Sequence, residues 1–141
     1  MGDLTAHFSV REWDQWAHLG QPAVPYPAQW VDSRLRVLAT ELEILREYCG
    51  GQPVRILSGY RTPALNAIVG GAAHSRHCEG DAADIVIASR TVGEVWDAVQ
   101  HLVTLGTLTR VRGCGLYRTF VHLDTRPSDT LVTWVGQRTT V

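Results

Sequence analysis

Apolar residues recur along this chain at two different spacings. Val31, Leu35, Leu38, Leu42, Leu45 and Tyr48 return every three or four positions, the period of one buried helix face. They predict a long helix from about Ala28 to about Cys49, stopped by Gly50-Gly51. Val54 to Ser58 and Ala83 to Ile87 are short apolar runs that read as strands. Three further starts are marked by polar residues. Ser9 with Glu12 and Thr91 with Glu94 are capping-box pairs, predicting helices to about His18 and to about Leu105. Thr62-Pro63 places an N-cap before a first-turn proline, opening a short helix to about Ile68. Strands are expected near Arg110 to Tyr117, Thr119 to Leu123 and Leu131 to Val135. This order predicts an α+β fold, a small antiparallel sheet backed by helices. No repeat, low-complexity tract or linker divides the chain, so residues 1–141 are expected to form a single domain.

Composition narrows the function classes. Apolar residues make up 45% of the chain and mean hydropathy is −0.06. No run reaches the roughly 18 to 20 apolar residues needed to span a bilayer. The N-terminus, Met1 to His7, has neither a basic nor an apolar segment, so no signal peptide is visible. Synthesis in the cytoplasm is expected. Thirteen basic residues, all arginine, face fourteen acidic ones without a basic tail or arginine-dense helix, so no nucleic-acid partner is expected. Cys49, Cys78 and Cys114 are odd in number and are read as reduced thiols.

The densest chemistry lies in Ser75-Arg76-His77-Cys78-Glu79-Gly80-Asp81-Ala82-Ala83-Asp84 and, later, in Phe120-Val121-His122-Leu123-Asp124. Two histidines and one carboxylate, His77, Asp84 and His122, can hold a zinc ion on three sides and leave the fourth open, the catalytic arrangement. Asp84 opens an apolar strand, where a carboxylate is costly to bury unless a partner or metal neutralises it. Phe120, His122 and Asp124 share one face of a strand by alternation. The same alternation turns Cys78 away from a metal faced by His77.

Taken together, Ser58-Gly59-Tyr60-Arg61, Asn66 with Val69-Gly70-Gly71-Ala72, the His77/Asp84 segment and the late His122/Asp124 pair resemble the zinc D-Ala-D-Ala carboxypeptidase family. That family shares its small fold with murein endopeptidases, phage endolysins and the hedgehog domain. His7 to Trp13 resembles the opening of its short, phage-associated branch. The resemblance implies a Zn2+ cofactor held by His77, Asp84 and His122. It implies hydrolysis of peptidoglycan stem peptides at D-alanine-containing bonds, as a D,D-carboxypeptidase or an endopeptidase of endolysin type, reaching the wall after release from the cell. It also implies that Arg61 binds substrate and stabilises the oxyanion, and that Ser75 contacts substrate.

The general base is the weak point of the pattern. Several branches carry an acid three positions before the late histidine; that position is Thr119 here. Asp124 is the nearest acid to His122 and the favoured base, with orientation of the His122 ring as its other role. Glu79 is a second candidate. If neither serves, the chain is a non-catalytic, zinc-stabilised domain that binds wall peptide or a protein partner.

Overall fold

The computed structural model describes residues 2–137. The ends of the expected 1–141 domain, Met1 and residues 138–141, lie outside the described residues. Among the described residues, five strands, β1 (Val54–Ser58), β2 (Ala82–Ile87), β3 (Gly113–Leu116), β4 (Val121–Asp124) and β5 (Val132–Val135), form one sheet in the order β1-β2-β4-β3-β5. Three α-helices accompany it among the same residues: α1 (Arg36–Tyr48), α2 (Pro63–Ile68) and α3 (Val92–Thr104).

The α+β expectation holds, with one difference in the sheet. β1·β2, β2·β4 and β3·β4 pair antiparallel, but β3 and β5 pair parallel. The cause is connectivity. β4 runs opposite to β3, and the chain then crosses the sheet end through residues 125–131 to the free edge of β3. A strand reversed relative to β4 must run with β3.

The long helix predicted from Ala28 is continuous but begins irregularly. Ala28–Trp30 is a 3-10 turn and Val31–Leu35 a π turn before regular α1 starts. The helix predicted after Ser9 is only a 3-10 turn, Val10–Trp13. Glu12 Oε2 does accept the Ser9 N–H at 2.7 Å, so the cap forms. The helix stops because Gln15 and Val24 instead exchange both backbone hydrogen bonds, at 2.7 and 2.8 Å. The other two caps behave as read: Thr62 accepts from Leu65 N–H and Thr91 from Glu94 N–H.

Alternation along the strands divides the sheet into two faces. Ala83, Ile85, Ile87, Val121 and Leu123 join Leu38, Leu42 and Leu45 of α1 and Val95, Val99 and Leu102 of α3 in the buried core. The intervening residues of β2 and β4 belong to the other face, and there the polar cluster sits.

Candidate metal centre

Strand register assembles the site. Ser58 pairs with Asp84, Asp84 with His122, His122 with Gly115, and Gly115 with Trp134. One row across the sheet therefore carries two of the three expected ligands. His77 joins them from a 3-10 turn, Arg76–Glu79, whose N-cap is Ser75 and whose C-cap is Gly80 at φ 72°. A side chain at Gly80 would run into Trp30 and Tyr26, so both the left-handed turn and the tight packing call for glycine.

His77, Asp84 and His122 are all buried, and each offers a ligand atom within 4.8 Å of the others. His77 Nε2 lies 3.2 Å from Asp84 Oδ2, and His122 Nδ1 lies 3.0 Å from Asp84 Oδ1. The remaining ring nitrogens are also engaged. His77 Nδ1 lies 2.7 Å from the Gly59 carbonyl oxygen, and His122 Nε2 lies 2.8 Å from Asp124 Oδ2.

All four ring nitrogens thus face oxygen acceptors. A neutral imidazole has one N–H, so each ring that is not doubly protonated must aim one lone pair at an oxygen. Burial pushes the His77 imidazole below its ordinary pKa despite the neighbouring Asp84, which disfavours a second proton there. A cation between the inner nitrogens and Asp84 removes the conflict. It would take the inner lone pairs of both rings, displacing any proton there, and the carboxylate, while the outer N–H groups would donate to Gly59 and Asp124. Histidines tied in this way by an outer acceptor are the usual setting of zinc ligands, and two nitrogens with one oxygen donor suit zinc. The residues present fit the metal.

Burial would raise the Asp84 carboxyl, but both histidines hold it well below the usual carboxylate range. It is therefore ionised, as a ligand must be. Burial also lowers His122, but the carboxylates of Asp124 and Asp84 outweigh it and push this ring up to about 9.

The cluster lies in a cavity of about 300 Å3 that also takes in Arg61, Ser75, Tyr117, Arg126 and Trp134. Arg61 is buried at 6% exposure, and its backbone N–H donates to the His77 carbonyl at 3.2 Å. Its Nη2 lies 3.5 Å from Ser75 Oγ. Ser75 Oγ also accepts the His77 N–H at 3.2 Å, so Ser75 organises the ligand turn as well as lining the cavity.

Two other expectations change. Asp124 is fully buried and lies behind His122, held by the ring and by Arg126 through Nε at 2.8 Å and Nη2 at 2.7 Å. Burial would raise its carboxyl, but these hydrogen bonds hold it well below the usual range. Of the two roles expected for Asp124, base or orienting partner of His122, this placement is the one an orienting carboxylate takes. Glu79 is exposed and pairs with Arg34 at 3.6 Å, outside the cavity lining. Among the described residues, Asp84 is the only acid that lines the cavity. Cys78 is outside the ligand set, although the expected reason fails: the segment is a 3-10 turn rather than extended. The three cysteines are free thiols.

The sequence reading passed over Gly59 as an acceptor, and Arg126, Tyr117 and Trp134. Only Arg126 left a trace, since it continues the alternation of His122 and Asp124.

Comparison with known proteins agrees with this geometry. A family model described as peptidase M15 matches residues 8–124. A zinc D-Ala-D-Ala carboxypeptidase of Streptomyces albus G is 37% identical over 60 residues. That match covers 41% of this chain and 24% of the relative, so it spans about a quarter of the relative's length.

Proposed function

The chain belongs to the peptidase M15 family, and from that premise we propose that it is a zinc-dependent peptidase cleaving peptidoglycan stem peptides at D-alanine-containing bonds. The observation that carries the reading is the tying of both outer histidine nitrogens, to Gly59 and to Asp124, so that the inner nitrogens converge with Asp84. The name of the Streptomyces relative supports the substrate class. Bound at this site, zinc supplies Lewis acidity, polarising the scissile carbonyl and bringing the pKa of water toward about 7.

The protein's own groups do the rest. Asp124, clamped by Arg126, keeps the His122 ring in place. The Gly59 carbonyl does the same for His77. Arg61 presents a guanidinium to the cavity, suited to a substrate carboxylate or to an oxygen that gains charge during cleavage. In the same reading, the protein acts on the wall after release from the cell, as the resemblance of His7 to Trp13 to the phage-associated branch suggests.

A second reading, a zinc-stabilised domain that binds wall peptide or a protein partner without cleaving it, is favoured by one observation. Thr119 replaces the acid of other branches, and no carboxylate besides Asp84 reaches the cavity among the described residues. Incubating the zinc-loaded protein with purified muropeptides and weighing the products decides between them. Loss of a terminal D-alanine identifies a carboxypeptidase, and opening of a cross-link identifies an endopeptidase. Unchanged masses with retained binding would establish the second reading.

A further inference from the structure

The hairpin between β3 and β4 carries a phenol whose surroundings the metal centre does not explain. Tyr117 follows β3, and its backbone N–H donates to the Phe120 carbonyl at 3.0 Å. Its ring stacks on Phe120 with centroids 4.5 Å apart and planes 10° from parallel. A side chain at Gly136 would run into the same ring. The ring is therefore confined by Phe120 and by the backbone at Gly136. The hydroxyl is held separately: Trp134 Nε1 donates to Tyr117 Oη at 3.0 Å.

The sheet places that indole next to the ligands. Trp134 faces Gly115 across β3 and β5, and Gly115 faces His122 across β3 and β4. An added Cβ at Gly115 would lie 2.5 Å from the indole Nε1. The glycine thus opens the space in which Trp134 lies, 5.2 Å between centroids from the His122 ring. Tyr117, Phe120, Trp134 and His122 line the same cavity.

An indole nitrogen can only donate, so the bond from Trp134 occupies a lone pair of the phenol and leaves the phenol's own proton to be given elsewhere. Among the described residues no acceptor for that proton accompanies the Trp134 bond. We propose that the Tyr117 hydroxyl is a catalytic hydrogen-bond donor to the peptide substrate, directed at the carbonyl oxygen that gains negative charge as the bond is cleaved. Its partner Trp134 adjoins the His122 ring, and Arg61 is tied to His77 through its backbone. The proton stays on the phenol oxygen throughout; the contribution is a hydrogen bond that strengthens with the charge on its acceptor. The role rests on the peptidase reading of the site.

The test compares wild type, Tyr117→Phe and Trp134→Phe, each loaded with zinc. Tyr117→Phe removes one oxygen and keeps the stack on Phe120. Zinc content and melting temperature should match wild type, while kcat on a D-alanine-containing stem peptide falls by about 10²- to 10³-fold with KM little changed, the usual loss for one such donor. Affinity for a phosphinate analogue of a D-alanyl-D-alanine dipeptide, measured by calorimetry, should fall as well. Trp134→Phe frees the hydroxyl without deleting it and should lose less. Wild-type kcat and phosphinate affinity in Tyr117→Phe would overturn the proposal while leaving the peptidase reading intact. A fall in kcat matched by lost zinc would overturn it too, because the tyrosine would then be only structural. A zinc-loaded wild type that neither cleaves the peptide nor binds the phosphinate would overturn the peptidase reading, and the donor role with it.

Discussion

Asp124 Oδ2 lies 2.8 Å from Nε2 of His122, while the other ring nitrogen, Nδ1, faces Asp84 at 3.0 Å. A carboxylate on that outer side of the ring fixes its tautomer and increases its basicity as a ligand. Asp124→Asn keeps the shape but removes the charge. Zinc affinity is expected to fall by about 10- to 100-fold, with activity recovering in excess zinc. Lost turnover at full zinc occupancy, without recovery, would return Asp124 to the role of general base, where proton transfer contributes about 10² to 10⁴ in rate.

The same pair can be disturbed without touching either member. Gly113 faces Asp124 across β3 and β4, and an added Cβ there would run into both carboxylate oxygens. Gly113→Ala is expected to displace Asp124, loosening its bonds to His122 and Arg126. A competition assay with a chromophoric chelator should show weaker zinc binding although all three ligands remain. Unchanged zinc affinity in a correctly folded Gly113→Ala protein would mean that Asp124 does not govern the ring.

How much of this was legible in the sequence depends on the range of the interaction. The β1, β2, α2 and α3 segments follow from local signals: apolar runs, Thr62 before Pro63, and Thr91 with Glu94. His77, Asp84 and His122 stood out because chemistry needs those residue types together. Other features depend on partners far along the chain. The helix after Ser9 was cut short by Val24 pairing with Gln15. The parallel β5 follows from where the sheet has a free edge. Asp124 was placed on the correct strand face, but alternation cannot say which ring nitrogen it meets. That geometry is set by Arg126 and by the register with Asp84.

Arg61 tests substrate handling. Its backbone bond to His77 does not depend on the side chain, so Arg61→Ala should fold and bind zinc. Turnover is expected to drop by about 10²- to 10³-fold. Arg61→Lys should recover little, since an ammonium cannot reproduce the planar fork of the guanidinium. Wild-type kinetics in Arg61→Ala, measured at matched zinc occupancy, would remove Arg61 from the reaction.

Removing the metal should expose two opposed titrations. In the metal-free protein, burial lowers His122, but Asp124 and Asp84 overcome it and raise the ring from 6.5 to about 9. A folded pKa above the unfolded one stabilises fully below pH 6.5 and loses that contribution as pH rises through 9. At full strength it is on the order of 3 kcal/mol. His77 moves the other way, because burial pushes it below 6.5. Its contribution is present above 6.5 and lost as pH falls through the folded value. The melting temperature of chelator-treated protein should therefore peak near pH 6.5 and decline toward pH 9. Zinc replaces the proton on the inner nitrogen of His122, so the zinc-loaded protein should lack the alkaline decline, and zinc uptake at neutral pH should release a proton. Thermal melts across this range, with and without zinc, and calorimetry in buffers of different ionisation enthalpy measure both effects. A metal-free melting temperature that stays flat between pH 6.5 and 9, with no proton released on zinc binding, would show that His122 is already neutral and that the two carboxylates do not hold a proton on it.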